Sequence, residues 1–160
     1  MVLHCVRRDG TATWERHDRH ALFFSFHDLS HFAVETVLAF NRGFYGLIAD
    51  GWDIADTTGK GKRGKLPSEG ILVEHLVGLL DGERVGGALP LSASEFNAQI
   101  AQFVANDALD AARAFTEVEL AAVRQRIETL HRQWAAVLPG SSFELTYDRG
   151  ENNANAKAKG

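Results

Sequence analysis

Cysteine is almost missing from this chain. Among 160 residues the only one is Cys5, which excludes an internal disulfide and any thiolate cluster around a metal. A metal site here must be built from imidazole and carboxylate. Long apolar runs are missing too: none reaches the roughly 20 residues of a membrane span. The first ten residues, MVLHCVRRDG, lack the apolar stretch of a signal peptide. Together these absences predict a cytoplasmic protein with no membrane partner. There is little excess charge of either sign. Lys and Arg number 17 and Asp and Glu 21, a formal −4, which gives no electrostatic reason to expect nucleic acid as a partner. No internal repeat is present. No Gly-x-Ser-x-Gly turn occurs either, so Ser25 and Ser30 do not form the strained nucleophile of a serine hydrolase.

What is present is an ordinary globular composition, 45% hydrophobic and 24% charged, and enough length for one domain with a real core. Val2 to Arg8 and Thr11 to Arg16, joined by Asp9-Gly10, read as a β-hairpin. A helix is predicted from Phe26 to Phe40, and a short one from Gly43 to Ala49. Asp50 to Leu66 is a loop, and Pro67 opens a helix over Ser68 to Leu80 that ends near Asp81-Gly82. Ser92 or Ser94 caps a helix through Asn106. Thr116 and Glu119 form a capping box for a long helix to about Val137. Ser142 to Asp148 alternates Phe143, Leu145 and Tyr147, a strand signal. The expected fold is α+β: a small antiparallel sheet, made of the N-terminal hairpin plus a C-terminal strand, covered by four or five helices. Residues 1–150 form the single domain, and 151–160 a disordered polar tail.

The chemistry concentrates in His27-Asp28-Leu29-Ser30-His31, followed by Glu35. Imidazoles four residues apart on a helix lie on one face and can hold one ion. The five residues resemble the His-Glu-x-x-His motif of zinc proteases, with Asp28 in the place of the general base. They are also similar to the His-Asp-x-x-His motif of zinc proteins in ubiquinone biosynthesis. In that family a Glu follows twelve residues after the second His, where this chain has Gly43. The longer run from His27 to Trp52 resembles an uncharacterised bacterial family, which implies no activity. A third ligand has two sources. Glu35 is about 12 Å from His27 along the helix, so it either orients His31 or reaches the ion through a bend. Glu74 sits between Gly70 and Gly78 on an apolar helix and reaches the ion if that helix packs on the first, with Glu35 or His75 in support.

The resulting expectation is a metal-dependent hydrolase or lyase acting on a small or modestly anionic metabolite. His27, His31 and Glu74 are the ligands, Asp28 and Glu35 the catalytic carboxylates, and zinc ranks ahead of Fe(II). Trp52, Lys60, Lys62 and Arg63 are the expected substrate contacts, in a Gly/Lys loop that closes over an anion. That loop has P-loop spacing, but Leu66 stands where Ser or Thr must hold magnesium, which excludes an NTPase. The alternative is a non-enzymatic binding or interaction module whose buried His and Glu residues only fix helix packing. His17, His20 and His131 read as surface groups, and Cys5 as a small core residue. Leu120, Ile127 and Trp134, seven apart, offer a seam for a homodimer.

Overall fold

The computed structural model describes residues 1–18, 20–59, 61–87, 89–110 and 113–148. The hairpin forms where its turn chemistry puts it. Strands β1 (Val2–Val6) and β2 (Ala12–Arg16) pair antiparallel, with His4 opposite Trp14 and Cys5 opposite Thr13. The Asp9 carboxylate accepts hydrogen bonds from the Thr11 N–H at 2.9 Å and its hydroxyl at 2.7 Å. Gly10 takes φ of 85°, a conformation open to glycine without steric cost. Arg7 ties the hairpin to the rest of the chain, donating to the carbonyls of Ile48 at 2.8 Å and Trp52 at 2.5 Å.

Five helices follow: α1 (Ala21–Leu38), α2 (Phe44–Ala49), α3 (Ser68–Gly86), α4 (Ala93–Asn106) and α5 (Glu117–Ala135). A 3-10 turn, Ile54–Thr58, interrupts the loop between α2 and α3. The caps at Ser92 and Thr116 are both full capping boxes. Helix α1 starts ahead of Phe26 because Phe23 and Phe24 have ring partners, His27 and His17 respectively. Helix α3 runs past Asp81-Gly82 because Asp81 is buried and hydrogen-bonded to α1 rather than free to stop the helix.

Helix α1 is the centre of the molecule, packing on α3 and α5, with α4 behind α3. Every residue from Leu29 to Glu35 is buried, so α1 has neighbours on all sides at that level. The core joins Val34 to Val73, Leu76, Val77, Phe96, Leu120, Val123 and Leu130. Leu120 and Ile127 are part of it and Trp134 packs against it, so the expected dimer seam is covered by the chain's own core. Ser142 to Asp148 is not a strand, and the sheet has two strands among the described residues. Its alternation is real but its partner is a helical surface: Phe143, Leu145 and Tyr147 pack on the core, and the Tyr147 hydroxyl donates to the Phe40 carbonyl at 2.9 Å. The small α+β architecture is as expected, while the tail 151–160 lies outside the described residues. Among the described residues, no helix is long and apolar enough to cross a membrane.

Candidate metal centre

His27 and His31 project from successive turns of α1, and their Nε2 atoms are 3.3 Å apart. From α3, the Glu74 carboxylate comes to 3.5 Å of the same His31 Nε2. One ligand atom from each of the three lies within 4.8 Å of the others. In a tetrahedral centre with bonds of about 2.0–2.1 Å, ligand atoms stand about 3.3 Å from one another. The two shorter separations match that spacing.

Each histidine has a carboxylate behind it. The Asp81 carboxylate lies 3.0 Å from His27 Nδ1 and accepts the Ser30 hydroxyl at 2.8 Å. Burial alone would raise the Asp81 pKa, but the hydrogen bonds from His27 and Ser30 overcome it and hold the group below the usual carboxylate range. An ionised carboxylate only accepts, so His27 carries its proton on Nδ1 and turns the Nε2 lone pair toward His31 and Glu74. Behind His31 stands Glu35, with Oε1 3.8 Å from Nδ1. That is ion-pair range but too long for a hydrogen bond, and Nδ1 has no hydrogen-bond partner. Glu35 is locked there because it also accepts the N–H groups of Tyr45 at 3.1 Å and Gly46 at 3.0 Å. Gly43 makes room for it: a Cβ on Gly43 would fall 2.5 Å from Glu35 Cδ. Glu35 therefore faces His31 within ion-pair range and is not part of the group of His27, His31 and Glu74 that could hold an ion. A carboxylate at hydrogen-bond distance, as Asp81 is from His27, fixes the tautomer and orientation of a ligating histidine.

The protonation pattern agrees. His31 is 2% exposed. Burial pushes its pKa down, yet Glu35 and Glu74 outweigh this and bring it up to about 9. Burial would raise Glu74, but the contact with His31 holds it below its ordinary value. Without a cation between them, these groups are held together by a proton on His31.

The cluster opens into a pocket of about 440 Å³ whose lining includes Asp28, Phe24, Phe44, Thr57, Thr58 and Leu66. Asp28 has one buried carboxylate oxygen, Oδ2, without a hydrogen-bond partner. Burial pushes its carboxyl up to about 6, against the pull of His31, His27 and His17. A larger and more open hollow of about 600 Å³ lies beside Phe26, Arg84, Ile127 and His131. Among the described residues it has no converging ligand set, and its Arg124 is spent on Glu83 at 2.7 and 2.9 Å.

The basic loop is not where the sequence puts it. Trp52, Lys62 and Arg63 are absent from the pocket lining, and Lys60 lies outside the described residues. Arg63 instead donates to the Gly51 carbonyl at 2.8 Å and sits over the Trp52 ring. The neutral part of the loop, Thr57, Thr58 and Leu66, faces the site. His75 points away to Asp107 at 2.6 Å and stacks on Phe103. Two expected surface histidines are not on the surface. His17 stacks on Phe24 and lines the pocket. His131 is buried, with Nε2 donating to the Phe26 carbonyl at 3.0 Å. Cys5 lies on the inner face of β1, and burial pushes its thiol up to about 11, far from a nucleophile. Asp81 is a member of this cluster that the sequence did not single out. Its signal is the seven-residue step from Glu74, which places both on one helix face. Reading Asp81-Gly82 as a stop hid it.

Comparison with known proteins finds no family model that matches the sequence, no curated protein that matches it and no solved structure that matches its fold.

Proposed function

We propose that the chain is a divalent-metal-dependent enzyme, a hydrolase or lyase acting on a small metabolite. The observation that carries this is the convergence of His27, His31 and Glu74, with a carboxylate behind each imidazole. Two histidines and one carboxylate suit zinc ahead of Fe(II). When bound, the cation supplies Lewis-acid polarisation of a substrate oxygen. Asp28 takes the proton, as a partly buried carboxylate with a spare acceptor oxygen in the same pocket, its pKa moved toward neutrality as a general base requires. Asp81 and Glu35 position the two imidazoles. Phe24, Phe44 and Leu66 exclude water around the reacting atoms. The same reading places the protein in the cytoplasm, where a lone thiol stays reduced.

A second reading has one observation in its favour. A protonated His31 between Glu35 and Glu74 is itself a buried ion cluster, and such a cluster can serve packing alone, as it would in a binding module. Metal content separates the two. The untagged protein, dialysed and analysed for Zn, Fe, Mn, Ni and Cu, is expected to hold about one equivalent of one metal, as a three-ligand set with an open fourth position does. His27→Ala and His31→Ala are each expected to lose it. A native protein that stays empty after reconstitution leaves the packing reading standing.

A further inference from the structure

We propose that the pocket selects small neutral or amine-bearing compounds and turns away anions, and that Glu15 and Asp28 set this preference. The inference uses the metal-centre reading for the place where the substrate reacts. Besides Glu74, two carboxylates line the pocket: Glu15 from β2 and Asp28 from α1. Its other polar groups are hydroxyls and imidazoles, and among the described residues no Lys or Arg lines it. Of the loop cations expected over it, Arg63 is engaged elsewhere. Arg63 bonds the Gly51 carbonyl and lies 4.0 Å from Asp56, while Arg7 pairs with Asp53 at 3.0 Å.

Three carboxylates against the two charges of a divalent cation leave the pocket negative, and without the cation it is more negative still. Phe24, Phe44, Ile54 and Leu66 form low-dielectric walls, which strengthen that field at the mouth and weaken solvent screening. Among the described residues, His17 Nε2 lies 3.9 Å from the Glu15 carboxylate. Asp28 adds a directional preference. Its unpartnered oxygen accepts hydrogen bonds, so an N–H satisfies it and an acceptor-only carboxylate or phosphate does not. This reverses the expectation of an anionic substrate under a basic lid.

Three probes that share one ring and differ in charge test the inference: benzylamine, benzamide and benzoate, titrated calorimetrically into the zinc-loaded full chain at neutral pH. Benzylamine or benzamide is expected to bind at least about tenfold more tightly than benzoate, the size of effect that one nearby charge gives at intermediate dielectric. The Glu15→Gln/Asp28→Asn double variant should shrink that gap without losing zinc. If the double variant does not fold, Glu15→Gln alone serves, since Glu15 is exposed on its strand. Benzoate binding equally well, no probe binding, or an unchanged gap in the variant each overturns the proposal. The two readings fail separately. A chain that holds no zinc but keeps the probe order loses only the metal centre, and a zinc-loaded chain that prefers benzoate loses only this inference.

Discussion

The two nitrogens of His27 face opposite demands. Nδ1 must keep a proton to satisfy Asp81, and Nε2 must stay bare to offer a lone pair to the cluster. Asp81 settles both through one hydrogen bond and is itself held by Ser30. Replacing it with Asn removes the charge but keeps the shape. We expect Asp81→Asn to weaken zinc affinity about 10- to 100-fold, the usual range for such outer partners, with a circular dichroism spectrum like the parent's. An unchanged affinity in a chelator competition would mean that Asp81 does not position His27. At this scale the sequence was partly readable. A four-residue repeat of histidine identifies itself, and Glu74 stood out as a charge on an apolar helix. Asp81 did not, because Asp-Gly signals a turn unless something across the interface holds the aspartate. The missing facts were tertiary: which way Glu74 and Asp81 point depends on how α3 crosses α1.

Helix ends carry their own energetics. Ser92 and Thr116 cap as their spacing with Glu95 and Glu119 implies, so both starts were legible. The end of α1 is different. Ala39 adopts φ of 58°, where an L-residue with a side chain is disfavoured by roughly 1–2 kcal/mol. Glycine relieves that cost and loses roughly 0.4–1 kcal/mol through greater freedom of the unfolded chain. Ala39 is exposed, so its methyl group gives up little packing. Ala39→Gly is therefore expected to stabilise the fold by about 0.5–1 kcal/mol in urea denaturation, and a loss of stability would refute this account of the cap. The C-terminal segment shows where pattern reading runs out. Period-two alternation at Phe143, Leu145 and Tyr147 states that one side is buried, but it does not state whether a strand or a helix surface buries it.

For the molecule as a whole, α1 carries both the core and the site, so the charge state of the cluster is part of the stability of the fold. His31 is raised from its ordinary 6.5 to about 9 in the metal-free chain. A raised pKa means that the folded state binds the proton more tightly than the unfolded one. The contribution is therefore complete below pH 6.5 and lost as pH rises through about 9. Asp28, raised from 3.8 to about 6, works the same way at lower pH, with stability falling between those values. Metal-free protein should therefore melt at progressively lower temperature from pH 6.5 to 9. Zinc should flatten or reverse that trend, because the cation replaces the proton and binds better as imidazole deprotonates. Parallel melting curves with and without zinc would contradict this coupling.

The most direct test of the central claim is X-ray absorption at the metal edge of the zinc-reconstituted protein. The account predicts a shell of nitrogen and oxygen at about 2.0–2.1 Å with multiple scattering from two imidazoles. His27→Ala should lose the metal and with it the two-imidazole signal. A six-coordinate all-oxygen shell, or a two-imidazole signal that survives that substitution, would contradict it.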